Sequence, residues 1–198
     1  LTSCLVDNNW VISESIEDLG SVNLVTVFGD TDEFVKSEHY DYLRARYPNA
    51  DILGCSSAGN IQNDAISNSS LVVTAVSFDT SKVVLHSVEF EIGDDIINAS
   101  KELADTFDKN GLKHLFILSD GLNLNGSELI QGLNEVTSIT KTGGLAGDGA
   151  NFEKTFVIAN AFAKQKVIAA LGFYGDALTI GSGCYGGWSE FGTLRTIT

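Results

Sequence analysis

Apolar residues fall in short runs of strand length, separated by polar segments with helical spacing. Residues 22–28 are nearly continuously apolar and predict a buried strand. Thr31 or Asp32 is the expected N-cap of a helix reaching about Tyr47 and stopped by Pro48. Residues 52–55 predict the next strand, and the Asn- and Ser-rich stretch 60–70 reads as a loop. Two further apolar runs, 71–78 and 82–90, read as an antiparallel hairpin turning at Asp79. Upstream, 1–10 reads as an edge strand or lead-in, and 11–19 has a short helical pattern.

In the second half, 94–107 is the clearest amphipathic helix, with Ile96, Ile97, Leu103, Ala104 and Phe107 near one face. Asn110-Gly111 closes it. A strand at 112–118 and a helix at 127–137, N-capped by Ser127, follow. Strands are then expected at 155–161, 167–173, 177–183 and 192–198. The predicted class is α/β, with mixed β-sheets covered by helices.

Between the Thr-rich segment 137–142 and the apolar run from 155 lies a stretch, 143–155, in which four of thirteen residues are glycine, read as a short strand ending in a glycine loop and then a new strand. Glycine weakens strands and helices, and is required where backbone turns at positive φ or approaches something closely. Freed N–H groups in such a loop can form an anion-binding concavity, with the Asp148 carboxylate beside them. The first half carries a second copy. Gly54-Cys55-Ser56-Ser57-Ala58-Gly59 aligns with 142–147, so that Ala58-Gly59 falls on Ala146-Gly147. Each loop is preceded by an apolar strand ending in an acid, Asp30 or Asp120, and followed by paired apolar runs. The pattern implies internally duplicated βαβββα units, about 22–110 and 112–198, within a single domain over 1–198.

Composition narrows the function. The chain has 198 residues, 43% hydrophobic, with 20 Gly and one Pro, which fits one folded domain with a real core. A net charge of −14 repels phosphate backbones and argues against nucleic-acid binding. Cys4, Cys55 and Cys184 are scattered and lack metal-ligand spacing, which fits a reducing cytoplasm. No apolar run approaches the roughly twenty residues of a membrane span. The first residue is not Met, so an upstream segment is expected.

The Gly-Gly-Leu-Ala-Gly-Asp stretch at 143–148, with Phe152 and Thr155 after it, resembles the FIST N-terminal sensory domain. So do Gly54 to Gly59 and the ending from Gly186-Gly187-Trp188 through Gly192. The three motifs come in the family order. The resemblance implies a non-catalytic input module of bacterial signal transduction that binds a small molecule such as an amino acid. It also implies a FIST C-terminal domain or another output partner downstream. A cut there predicts exposed apolar surface around Trp188, Phe191 and Ile197. Expected ligand residues are Gly54, Cys55, Ser56, Ser57 and Gly59 in one loop, and Gly143, Gly144, Gly147 and Asp148 in the other, joined by Asp120 and Trp188. The loop N–H groups would meet a carboxylate and Asp148 an ammonium group. The alternative for Asp148 is that it braces its own loop.

Two rival functions carry specific residue requirements. A hydrolase or lyase would use Cys55 or the Asp cluster, yet Cys55 has no His in a recognisable catalytic context and the Gly-x-Ser-x-Gly elbow is missed at Ala58. A haem-dependent gas sensor, which the resemblance also raises, would need His39, His86 or His114 as ligand. The loop 143–149 lacks the Lys of a phosphate-binding loop and is not followed by a helix, as a dinucleotide site requires. No metal, cofactor or catalytic residue is expected.

Overall fold

The computed structural model describes residues 2–6, 9–14, 21–62, 64–67, 70–183, 186 and 192. Two mixed sheets stack face to face, and a pair of helices covers each outer face. The first sheet contains β1 (Thr2–Val6), β2 (Asn9–Glu14), β3 (Leu24–Gly29), β4 (Asp51–Ser56), β7 (Leu71–Val76) and β11 (Val157–Ala159), in the order β11-β4-β3-β7-β1-β2. The second contains β8 (Lys82–Glu89), β9 (Leu112–Ser119), β10 (Thr140–Leu145) and β12 (Val167–Tyr174), in the order β10-β9-β12-β8. A small hairpin, β5 (Asn60–Gln62) with β6 (Ala65–Ser67), stands apart.

Strand alternation builds three cores from these layers. On β3, Val25 and Val27 face α1 (Thr31–Phe34) and α2 (Ser37–Arg46), burying Phe34, Leu43 and Tyr47. On β9, Leu115 and Ile117 face α3 (Ile96–Asp105) and α4 (Gly126–Val136), burying Leu103, Leu129 and Leu133. The intervening positions meet between the sheets: Leu24, Leu53 and Cys55 from the first, and Leu118, Ala169 and Leu171 from the second. Each strand of both central pairs is thus apolar on both faces, which is why the sequence shows near-continuous runs there.

The α/β class with mixed sheets is as the pattern predicts, but several elements differ. The runs 71–78 and 82–90 are not a hairpin. Both edges of β7 are occupied, by β3 and by β1, so β8 crosses to the second sheet and pairs with β12. Residues 177–183 form no strand and are mostly exposed. Part of the predicted 11–19 helix is strand β2, and the 60–70 loop contains the β5–β6 hairpin. The helix expected over 31–47 divides into α1 and α2, with Asp30 as the cap: its carboxylate accepts from the Asp32 N–H at 3.0 Å. Asn125, not Ser127, caps α4. Trp188, Phe191 and Ile197 lie outside the described residues, as does most of 192–198.

The duplication into units 22–110 and 112–198 is not confirmed, since β8 lies in the second sheet and β11 in the first. A shared pairing scheme does run through both. β4-β3-β7-β1 and β10-β9-β12-β8 each have a parallel first pair and two antiparallel pairs.

Candidate functional site

The two parallel pairs end at the same side of the molecule, and their following loops touch. Ser57 N–H donates to Gly29 O, and Ala146 N–H to Ser119 O, both at 2.8 Å. This equivalence places Ala146 against Ser57, one residue away from the alignment on Ala58 that the sequence suggested. Gly147 N–H donates to Ser56 O at 2.9 Å, and a Cβ at Gly147 would lie 2.9 Å from the Ala58 nitrogen. The loops therefore converge, with these donors used on one another. Gly54 is packed so that a Cβ would lie 2.1 Å from the Val27 oxygen, whereas Gly59 is exposed. Ser57 Oγ donates to Asn60 Oδ1 at 2.7 Å, and Ser56 Oγ accepts from Phe156 N–H at 3.0 Å.

The acids at this end are engaged internally. Asp148 Oδ1 accepts from Thr31 Oγ1 at 2.7 Å, and Oδ2 from the Glu153 and Lys154 N–H groups at 2.9 and 3.0 Å. Burial alone would raise its carboxyl, but the Thr31, Lys154 and Glu153 hydrogen bonds hold it below the ordinary value. Asp120 is fully buried. Its Oδ1 accepts from Leu122 N–H, Asn123 N–H and Thr155 Oγ1, and its Oδ2 from Asn123 Nδ2 and Lys166 N–H. Both carboxylates tie distant segments together, so the bracing alternative has direct geometric support.

A cavity lies one element away, between α4 and the edge strand β10. Its volume is about 290 Å3, and Gly143 and Gly144 line it together with Ile117, Leu129, Ile130 and Leu145. Lys141, Thr142, Ser119 and Gly126 complete the wall. The reason for the gap is local. Lys141 and Gly143 sit opposite Leu115 and Ile117, which face the helices. Gly143 therefore occupies a position where an apolar side chain would normally pack on α4. Its φ is +146°, and a Cβ would lie 1.8 Å from the Ile117 oxygen, so no other residue fits. Gly144 has nothing within 4 Å of its Cβ position. The glycine signal was legible in the sequence. The α4 contribution was not, because helix residues such as Leu129 and Ile130 read as ordinary core.

Among the described residues, Lys141 is the one charged residue in the cavity wall. Nζ donates to Thr137 O at 2.7 Å and Ile139 O at 2.9 Å, closing the C-terminal end of α4. Burial lowers its pKa. On the reverse face of β10, His114 binds Thr140 Oγ1 through Nδ1 at 2.9 Å and Thr142 Oγ1 through Nε2 at 2.7 Å.

Of the residues that the rival functions would use, His86 stands edge-on against the Phe107 ring, with centroids 4.8 Å apart. Cys55 is buried between the sheets, and burial pushes its thiol up to about 12, so almost no thiolate forms near neutral pH. Both nitrogens of His114 are occupied, and His39 is buried against Glu33. No helix among the described residues is long and apolar enough to cross a membrane.

The arrangement defines an α/β module with two stacked mixed sheets and a small, mainly apolar cavity between β10 and α4. Residues 23–198 match the FIST N domain, and the chain belongs to that family, whose members are sensory domains in signal transduction. A comparison with curated proteins gave no match.

Proposed function

We propose that this chain is the small-ligand-binding input module of a signalling protein, acting by binding rather than catalysis, and that its ligand is an amino acid or a similar small metabolite. The observation that carries the reading is the cavity between β10 and α4, held open by Gly143. Its size lies at the lower end of the range for small-molecule sites, and its wall is mainly apolar with few polar groups, as such sites usually are. The outer edge of β10 is unpaired among the described residues, so its backbone offers donors and acceptors to a ligand's polar end. Asp120 and Asp148 act as braces that fix the loops following β9 and β10. The output partner is a following FIST C-terminal domain or a separate signalling protein, and the setting is the cytoplasm.

A thermal-shift screen of amino acids and small metabolites tests this, run on the wild type, Ile130→Trp and Asp148→Ala. Ile130 is 42% exposed, so a larger side chain can block the cavity without entering the core. At least one compound is expected to stabilise the wild type and Asp148→Ala but not Ile130→Trp. Asp148→Ala should melt earlier than wild type without ligand. If no compound stabilises the wild type, or the stabilisation survives in Ile130→Trp, the site is misplaced.

A further inference from the structure

We infer that the cavity between β10 and α4 selects a small apolar monocarboxylate, whose carboxylate meets Lys141 and whose hydrocarbon body lies against Ile117, Leu129, Ile130 and Leu145. The inference rests on the binding reading above and, of the ligands named there, favours a small metabolite without an ammonium group over an amino acid. Among the described residues Lys141 is the only ionisable side chain that lines this cavity, and no carboxylate pairs with it. An ammonium group has three N–H donors. Two are used on the Thr137 and Ile139 carbonyls, which leaves one. Neutral carbonyls do not balance the charge, and the cost of partial burial shows in the downward direction of its pKa. An anion in the cavity would supply the missing charge and accept the remaining N–H, in a bond stronger than a neutral one.

The same inventory argues against a zwitterion. An α-amino acid also brings an ammonium group, whose charge needs a counter-charge beyond the neutral carbonyls that the β10 edge offers. No carboxylate lines the cavity, and those of Asp120 and Asp148 are committed to internal donors. Cations are excluded more strongly, because they would face Lys141 directly.

Three probes of matched shape separate these classes: 4-methylpentanoate, leucine and 3-methylbutylamine. Isothermal titration of the wild type is expected to give the tightest binding for 4-methylpentanoate, with leucine weaker by at least about tenfold and no binding of the amine. Loss of one charge-assisted hydrogen bond corresponds to a ten- to hundredfold weakening, so Lys141→Met should weaken the carboxylate by roughly that factor. Ile130→Trp should abolish its binding. Lys141 also closes the end of α4, so the wild-type Lys141 Cε resonance is followed as well, and it should shift when 4-methylpentanoate is added. Tightest binding of leucine or the amine, blocked by Ile130→Trp, overturns the carboxylate inference and leaves the binding site standing. So does a carboxylate affinity unchanged in Lys141→Met. Equal carboxylate binding by wild type and Ile130→Trp, or an unmoved Lys141 resonance, overturns it because the anion then sits elsewhere. Failure of all three probes also overturns it, while the wider metabolite screen decides the parent reading.

Discussion

At the scale of single residues, Asp120 shows how a buried carboxylate serves the fold. It follows β9 and is reached by donors from residues 122, 123, 155 and 166. Burial alone would raise its pKa, yet the hydrogen bonds from Lys166, Leu122, Asn123 and Thr155 outweigh that and leave it lowered. A carboxyl with a folded pKa below its unfolded value stabilises the protein above the unfolded value of about 3.9, and loses that contribution as pH falls through the folded value. Asp120→Asn should therefore destabilise the protein at neutral pH by roughly 3 kcal/mol, since charge-assisted hydrogen bonds are worth about 1.5–3 kcal/mol each. The gap between wild type and variant should narrow below about pH 4. Urea unfolding followed from pH 2 to pH 7 measures both quantities. A gap that stays constant across that range would mean that the ionised form of Asp120 contributes nothing.

At the scale of elements, two adjacent glycines in one strand have opposite constraints. Gly143→Ala would place a Cβ 1.8 Å from a backbone oxygen at a φ of +146°, and the strand pair must give way. Gly144→Ala meets open space. We expect a loss of more than about 3 kcal/mol for the first and less than about 1 kcal/mol for the second. Thermal denaturation of the two variants checks the contrast, and similar melting temperatures would contradict the described geometry of β10. The Gly-Gly pair was visible in the sequence where a short strand enters a glycine loop, but nothing local showed that Gly143 fills a slot against Ile117 while Gly144 faces open space. Strand β8 shows a different kind of blindness. The Asp79 turn marks a chain reversal equally well for a hairpin and for a crossing between stacked sheets. What excludes the hairpin is that β1, far upstream, already holds the free edge of β7. That is long-range information, which local periodicity does not contain. The converging loops were legible because a repeated glycine motif survives without tertiary context. The one-residue shift between Ala58 and Ala146 was not, because only the ladder register defines it.

At the scale of the whole molecule, the interface between the two sheets decides whether the fold opens as a unit. Leu24, Leu53, Cys55, Val157, Leu118, Ala169 and Leu171 form one buried cluster shared by both sheets. Chain connectivity reinforces it, because β8 and β11 each join the sheet opposite to the bulk of their half of the chain. Separating the sheets would expose this apolar cluster and pull on both crossing strands, so partial opening should be as costly as global unfolding. Cys55 reports on this directly. Its thiol is buried and its pKa is raised to about 12, and alkylation requires an accessible thiolate. In a variant with Cys4→Ser and Cys184→Ser, iodoacetamide should label Cys55 only through opening of the inter-sheet core. When reclosing is fast relative to labelling, the rate measures the population of the open state. Its urea dependence should then match the m-value of global unfolding. A much smaller slope would show that the sheets part locally, and the cooperative α-β-β-α stack would have to be replaced by two separately stable halves.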